Sequence, residues 1–248
     1  MNVQDLTCGY PGRKIVEGIS IPADLPSPVG ILGRNGGGKS TFLKSCAGLL
    51  PPISGTVEFG SDDVRSLTPP ERSRRVAYVP PEEPHIFPYS VRESVLMGRS
   101  ASSGWTDSSE DQARADEAIN VLDLVHLADR PCTQLSAGER QRVGLARAWC
   151  QGADHLLLDE PTSHLDPAHV LMLSRLIKAE TRRIFVATHD LNWGASVCSS
   201  WVIFSEGQVI FTGSVTEGIE SQALEAAFGV SLRRIDDPEG GLPILLLG

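Results

Sequence analysis

The chain has 248 residues, of which 41% are hydrophobic and 21% are charged, and 22 Lys and Arg against 31 Asp and Glu give a formal net charge of −9. This composition provides enough apolar material for a core and argues against intrinsic disorder. The acidic balance disfavours nonspecific attachment to nucleic acid, so no nucleic-acid partner is expected. The five cysteines are scattered and form no Cys-x-x-Cys pair, which predicts reduced thiols in the cytosol.

Membrane and export signals are weak in this sequence. Its longest apolar runs are far shorter than the roughly 20 residues of a transmembrane helix. Residues 1–5 lack the basic and apolar parts of a secretory signal. We therefore expect a chain that does not span a bilayer and stays in the compartment where it is made.

Short β-type runs recur along the chain, and several are followed by segments with helical periodicity. Such alternation predicts an α/β fold with a mostly parallel sheet that is covered on both faces. The nearly continuous apolar runs at 155–159 and 184–188 are typical of central strands. The predicted strands are 29–32, 56–59, 76–79, 155–159, 184–188 and 201–205, with 202–205 and 208–211 forming a hairpin around Glu206-Gly207.

Helix signals dominate the middle of the chain. The strand signal vanishes between residue 80 and about residue 148, which predicts a helical subdomain inserted into the α/β core. The pairs Asp166-Pro167 and Ser90/Glu93 have the spacing of helix starts. Periodicity predicts helices over 41–50 and 110–126, and the Ser- and Gly-rich stretch 100–109 predicts a mobile surface loop.

Residues 33–40 read Gly-Arg-Asn-Gly-Gly-Gly-Lys-Ser and match the phosphate-loop pattern G-x-x-x-x-G-K-[ST] between a predicted strand and a predicted helix. Backbone N–H groups at a helix N-terminus suit a triphosphate, and glycines let the backbone approach it closely. Lys39 is expected to pair with the β- and γ-phosphates, and the Ser40 hydroxyl is expected to ligate Mg²⁺. The predicted nucleotide-binding residues are Gly33, Asn35, Gly36, Gly37, Gly38, Lys39, Ser40 and Thr41.

Two further strands end in candidate catalytic residues. Asp159 and Glu160 end the apolar run at 155–159, and ligands of open α/β sheets bind at the carboxyl ends of strands. Asp159 is suited to holding Mg²⁺ and Glu160 to polarising the attacking water. His189 follows the run at 184–188 and is expected to contact the γ-phosphate and that water.

Residues 135–142 read Leu-Ser-Ala-Gly-Glu-Arg-Gln-Arg, and Ser136 and Glu139 have the spacing of a capping box that starts a helix running to about residue 150. A capped helix N-terminus with a glycine is also suited to binding an anion. Together with the phosphate loop, Leu-Leu-Leu-Asp-Glu-Pro-Thr at 156–162, the turn at 163–166 and Thr188-His189-Asp190, this set resembles the ATP-binding cassette (ABC) ATPases in composition and order.

The resemblance covers nearly the whole chain and implies a phosphate-loop NTPase core with antiparallel β elements at its N-terminal side. It implies that ATP and Mg²⁺ are bound, and that two copies close head to tail around ATP. Tyr10 looks like the aromatic residue that stacks on adenine. In the same scheme, the γ-phosphate bound by one copy is contacted from the other copy by Ser136 and Gly138, and Glu139 is also assigned to the ATP-binding residues.

The domain scheme implied here assigns residues 1–80 and 149–213 to the ATP-binding core, 81–148 to the helical signature subdomain, and 214–248 to a short C-terminal extension. Two positions depart from the family pattern. Ala137 replaces the usual signature glycine, a change that a helix tolerates. Pro81 stands where the family has a glutamine that reaches Mg²⁺, and we hypothesise that Glu82 or Glu83 partly substitutes for it.

The segment 91–99 and the chain from residue 211 onward are similar to ATPases that serve importers of iron-siderophore complexes, haem and cobalamin. This similarity implies a peripheral ATPase at the cytoplasmic face of the membrane, a homodimer bound to permease subunits and served indirectly by an extracytoplasmic substrate-binding protein. The alternatives are a soluble ABC ATPase outside transport, a phosphate-loop kinase, which the signature disfavours, and a regulatory cassette weakened at Pro81. The sequence does not identify the cargo or the permease.

Overall fold

The computed structural model describes residues 1–82, 88–103, 108–235 and 241–248. The chain divides into two compact units, of which the first comprises Met1–Ser66 with Arg183–Gly248 and the second Leu67–Arg182. The finer division into core, signature subdomain and extension stays a prediction.

Strands and helices alternate along the described residues. The strands are β1 (Asn2–Tyr10), β2 (Arg13–Ile21), β3 (Val29–Leu32), β4 (Ser54–Phe59), β5 (Asp62–Asp63), β6 (Val76–Val79), β7 (His155–Asp159), β8 (Arg183–Thr188), β9 (Ser200–Ser205), β10 (Gln208–Ser214), β11 (Leu232–Ile235) and β12 (Ile244–Leu247). The helices are α1 (Lys39–Cys46), α2 (Pro69–Arg75), α3 (Val91–Ser103), α4 (Ser109–Val121), α5 (Ala137–Gln151), α6 (Pro167–Ala179), α7 (Leu191–Val197), α8 (Val215–Glu220) and α9 (Ala223–Phe228).

The first unit is built around β3, which pairs in parallel with both β8 and β9. β10 adds to β9 in antiparallel fashion, and Gln208 pairs with Ser205, which confirms the predicted hairpin. All four residues of β3 are buried, as a strand covered on both faces requires. A separate antiparallel sheet has the order β2-β1-β4-β5, so the predicted α/β class with antiparallel N-terminal elements is confirmed.

The second unit contains the parallel pair β6 and β7 and the helices α2 to α6. Three of these helices, α3, α4 and α5, pack together. Arg99 on α3 donates from Nε to Asp111 Oδ1 at 2.7 Å and from Nη1 to the Gln151 carbonyl at 2.9 Å, so one guanidinium ties all three helices. The Asp111 side chain is only 4% exposed, which makes this a largely desolvated ion pair.

Two predicted helix ends and part of one predicted loop are wrong. α1 ends at Cys46 rather than at residue 50, because Leu49 and Leu50 turn back and donate to the Lys44 carbonyl at 2.9 and 3.2 Å. α4 ends at Val121 rather than at 126, since Asp123 adopts a φ of 52° that a helix cannot continue. Residues 100–103 of the predicted loop 100–109 belong to α3 instead, and residues 104–107 of that loop lie outside the described residues.

Among the residues that the structure describes, none of the helices combines the length and the apolar character needed to cross a membrane.

Candidate active site

The predicted phosphate loop lies in the first unit, between the end of β3 at Leu32 and the start of α1 at Lys39. Gly38 is the N-cap of α1 with a φ of 99°, a conformation that favours glycine, and an added Cβ would lie 2.8 Å from Val16 Cγ2. Phe42 N donates to the Gly38 carbonyl at 2.8 Å and so closes the first helical turn. As in any α-helix, the first N–H groups of α1 have no acceptor within the helix itself. In the loop before it, Gly37 N donates to the Arg34 carbonyl at 3.1 Å.

The Lys39 side chain lies across this loop and binds its first residues. Its Nζ donates to the Gly33 carbonyl at 2.7 Å and to the Arg34 carbonyl at 3.3 Å, and the residue is 5% exposed. The first turn of α1 contains no acidic residue. A helix N-terminus, a buried ammonium and the hydroxyl groups of Ser40 and Thr41 therefore form a donor set that fits an anionic phosphate group.

The first unit also contains His189 and Tyr10. His189 is an exposed residue between the end of β8 and the start of α7. The next residue, Asp190, donates its N–H to Thr188 Oγ1 at 3.1 Å and caps α7 by accepting from Trp193 N at 2.9 Å. His189 thus belongs to a tightly bonded strand-to-helix turn. Tyr10 ends β1 and is 47% exposed, so its ring face is accessible to a planar ligand.

The two predicted carboxylates lie at the end of β7 in the second unit. Asp159 is fully buried, and the Tyr78 hydroxyl donates to its Oδ2 at 3.0 Å. Tyr78 lies on β6 beside Leu157, and sequence reasoning did not assign it any role in the site. The sequence did contain a signal for this contact, namely the hydroxyl group of Tyr78 in an otherwise apolar strand, because a partly buried Tyr hydroxyl usually has a polar partner.

Glu160 follows Asp159 directly and has a φ of 48°. Non-glycine residues rarely adopt this left-handed conformation, and it costs on the order of 1–3 kcal/mol. Ser163 N donates to the Glu160 carbonyl at 3.0 Å and so closes a turn directly after the strand. The carboxylate is therefore presented by a strained turn rather than by the strand itself.

The predicted signature forms the N-terminus of α5. Glu139 N donates to Ser136 Oγ at 3.3 Å and Ser136 N donates to Glu139 Oε2 at 2.6 Å, so the predicted capping box is present. The hydrogen bond from the Ser136 backbone N–H, followed by that from the Ser136 side chain, lowers the pKa of the Glu139 carboxylate. The Glu139 carboxylate thus serves the helix cap, and its predicted contact with ATP stays a prediction.

Gly138 lies against the turn that follows the carboxylates. A Cβ added at Gly138 would be 2.4 Å from the carbonyl oxygen of His164, far inside van der Waals contact. His164 itself adopts a φ of 65°. Glycine is therefore required at 138 for packing within this unit, whereas the Cβ of the departing residue Ala137 is accommodated.

The second departure, Pro81, is half-buried and is followed by Glu82, whose side chain is 84% exposed. Glu82 Oε1 lies 3.8 Å from His164 Nε2, at the outer limit of an ion pair. Glu83, the other predicted substitute for the missing glutamine, lies outside the described residues. The structure thus directs Glu82 towards the turn at His164, and its predicted role toward Mg²⁺ stays a hypothesis.

A glycine-rich loop between a parallel strand and a helix, closed by a buried lysine, defines the class of phosphate-loop nucleotide-binding proteins. The family described as ABC transporter matches residues 17–163. The chain belongs to the ABC transporter family, and the motif resemblance found in the sequence is confirmed.

Several named proteins are similar to this chain. The cobalamin import ATP-binding protein BtuD of Halobacterium salinarum is 35% identical over 245 residues, which cover 97% of this chain and 62% of that relative. The hemin import ATP-binding protein HmuV of Rhizobium meliloti is 33% identical over 257 residues, which cover 99% of this chain and 97% of that relative. A solved structure described as a metal-chelate type ABC transporter in an inward-facing conformation is 26% identical, with a TM-score of 0.82 over 100% of this chain and 96% of that one.

Proposed function

We propose that this chain is the ATP-binding and ATP-hydrolysing subunit of an ABC transporter that imports a metal chelate of the iron-siderophore, haem or cobalamin type. The observation that carries the ATP-binding part is Lys39, which is buried at the N-terminus of α1 with its ammonium fixed across the phosphate loop. The import role is supported by the similarity to the cobalamin and hemin import proteins.

In this proposal the loop amides and Lys39 bind the β- and γ-phosphates of ATP, and Tyr10 stacks on the adenine. Ser40 and Asp159 hold Mg²⁺, for which hydroxyl and carboxylate oxygens are suitable ligands. When bound, Mg²⁺ neutralises charge that develops on the phosphate oxygens. Tyr78 assists by fixing one oxygen of Asp159, so that the carboxylate keeps one orientation.

Glu160 is the proposed general base. Its carboxylate orients and polarises the attacking water, and His189 contacts the same water and the γ-phosphate. The strained backbone at Glu160 supports this assignment, because such strain accumulates at functional sites. Ser136 and Gly138 contact the γ-phosphate that is bound by the opposite copy of a homodimer.

The proposed partners are integral-membrane permease subunits, with a substrate-binding protein outside the membrane acting indirectly. The chain then works as a peripheral subunit at the cytoplasmic face. Co-purification with a polytopic membrane protein is the expected result, and a stable complex with soluble proteins alone would favour an ABC ATPase outside transport. A weakened regulatory cassette is favoured only by Pro81, and steady ATP hydrolysis would exclude it.

The test of the enzymatic part is steady-state phosphate release by the wild type and by Glu160→Gln. The isosteric amide removes the base and should lower turnover about 100-fold or more while ATP binding is retained. Lys39→Ala is the contrasting control, because it should lose ATP binding itself. Undiminished phosphate release by Glu160→Gln would contradict the assignment of the base.

A further inference from the structure

A reciprocal hydrogen-bond pair fastens the end of the chain to α7. Asn192 Nδ2 donates to the Leu245 carbonyl at 3.0 Å, and Leu245 N donates to Asn192 Oδ1 at 2.8 Å. The amide side chain therefore satisfies both backbone groups of one residue of β12, as a neighbouring strand would. Leu245 is 3% exposed, although Asn192 itself is an exposed residue.

α7 is the helix that begins immediately after the strand-to-helix turn containing His189. Gly194, near its middle, approaches both neighbouring strands, since an added Cβ would lie 3.3 Å from Leu32 Cδ2 and 3.4 Å from Thr188 Cγ2. Leu32 is the last residue before the phosphate loop, and Thr188 is the last before His189. A shift of α7 would therefore be transmitted to the residue that presents the imidazole.

The strand that Asn192 binds is itself held firmly. β12 pairs with β11 over four residues. β11 is in turn tied to the preceding helices, because Leu232 N donates to Glu225 Oε1 at 2.8 Å and Arg234 Nε donates to the Ile219 carbonyl at 2.7 Å. The two strands thus form a fixed support rather than a free tail.

We propose that Asn192 is a positioning residue for ATP hydrolysis, which couples the C-terminal strand pair to α7 and thereby holds His189 in place at the end of β8. The expected change in turnover rests on the proposed function, whereas the expected displacement of His189 does not require that the protein hydrolyses ATP. Because Asn192 acts through α7 and is not among the proposed ATP-binding residues, its loss should lower turnover more than it weakens ATP binding.

The test compares Asn192→Ala and Leu245→Pro, which remove the side-chain partner and the backbone donor of the same pair. Ser196→Ala is the matched control for the first, since Ser196 is an exposed residue one turn later on α7 and its Oγ donates to the Trp193 carbonyl at 2.8 Å. Leu246→Ser is the control for the second, because Leu246 neighbours Leu245 on β12 and is 43% exposed.

Both test variants should lower kcat about threefold to tenfold with a smaller change in KM for ATP, and the double variant should lose no more than either alone. The ring resonances of His189, assigned by their loss in His189→Ala, should shift alike in the two test variants and stay in place in the two controls. Folded test variants that keep both wild-type kcat and wild-type His189 resonances would overturn the inference. A wild type without ATPase activity would refute the proposed function instead, and the His189 resonances would still decide whether Asn192 positions the imidazole.

Discussion

Replacing Gly138 by alanine adds one methyl group to the first turn of α5, where the carbonyl oxygen of His164 would lie 2.4 Å from the new carbon. The obstacle is backbone, so it cannot move aside as the tip of a flexible side chain would. His164 already has a φ of 65°, which leaves its turn little freedom to adjust. We therefore expect Gly138→Ala to destabilise the protein even without nucleotide.

The magnitude follows from two opposing effects. Overpacking of this kind costs about 1–3 kcal/mol. Replacing glycine by alanine inside a helix returns about 1 kcal/mol. The expected net loss is about 1 kcal/mol, which corresponds to a decrease in melting temperature of about 2–4 °C for a chain of this size.

Thermal unfolding followed by circular dichroism measures this loss. Ala137→Gly, one position earlier in the same turn, is the matched control, because it removes a methyl group that meets no such obstacle and should also lower the melting temperature. A methyl group should therefore destabilise the protein at position 138 and stabilise it at position 137. If Gly138→Ala melted at a higher temperature than the wild type, as an ordinary glycine-to-alanine change in a helix does, the packing argument would be refuted.

Two further changes test the helical part of the second unit. Ser136→Ala removes the side-chain cap of α5 and should cost about 1 kcal/mol in the free energy of unfolding by denaturant, whereas an unchanged value would mean that the capping box is not formed in solution. Asp111→Asn tests the pH dependence of the ion pair with Arg99, whose hydrogen bond lowers the pKa of Asp111. A lowered carboxylate pKa stabilises the folded protein at pH values above the unfolded-state pKa of about 3.9, and this stabilisation is lost as the pH falls through the folded-state pKa. The difference in melting temperature between wild type and Asp111→Asn should therefore shrink in acid. A difference that grew in acid would contradict this assignment.

Three of the parallel strands could be predicted from the sequence, because the apolar character of a buried strand is visible within its own residues. β3, β6 and β7 begin and end where the apolar runs do. Helix starts with a capping box were also legible, since Ser136 and Glu139 are only three residues apart. In such cases one short segment contains all the groups that determine the structure.

Contacts between distant segments could not be predicted in this way. The hydrogen bond from Tyr78 to Asp159 spans 81 residues, and that between Asn192 and Leu245 spans 53. The presence of Tyr78 or Asn192 in the sequence does not indicate which distant residue its side chain will bond. The early end of α4 escaped prediction too, because Asp123 gives no sign in the sequence of its left-handed backbone.

In the proposed function, ATP is held between the phosphate loop of one copy and the signature helix of another. The most direct test is sedimentation velocity of Glu160→Gln with and without Mg²⁺ and ATP, because slow hydrolysis should trap the bound state. We expect a monomer without nucleotide and a dimer that retains two ATP molecules when nucleotide is present. A variant that binds one ATP per chain and sediments as a monomer at every concentration tested would contradict it.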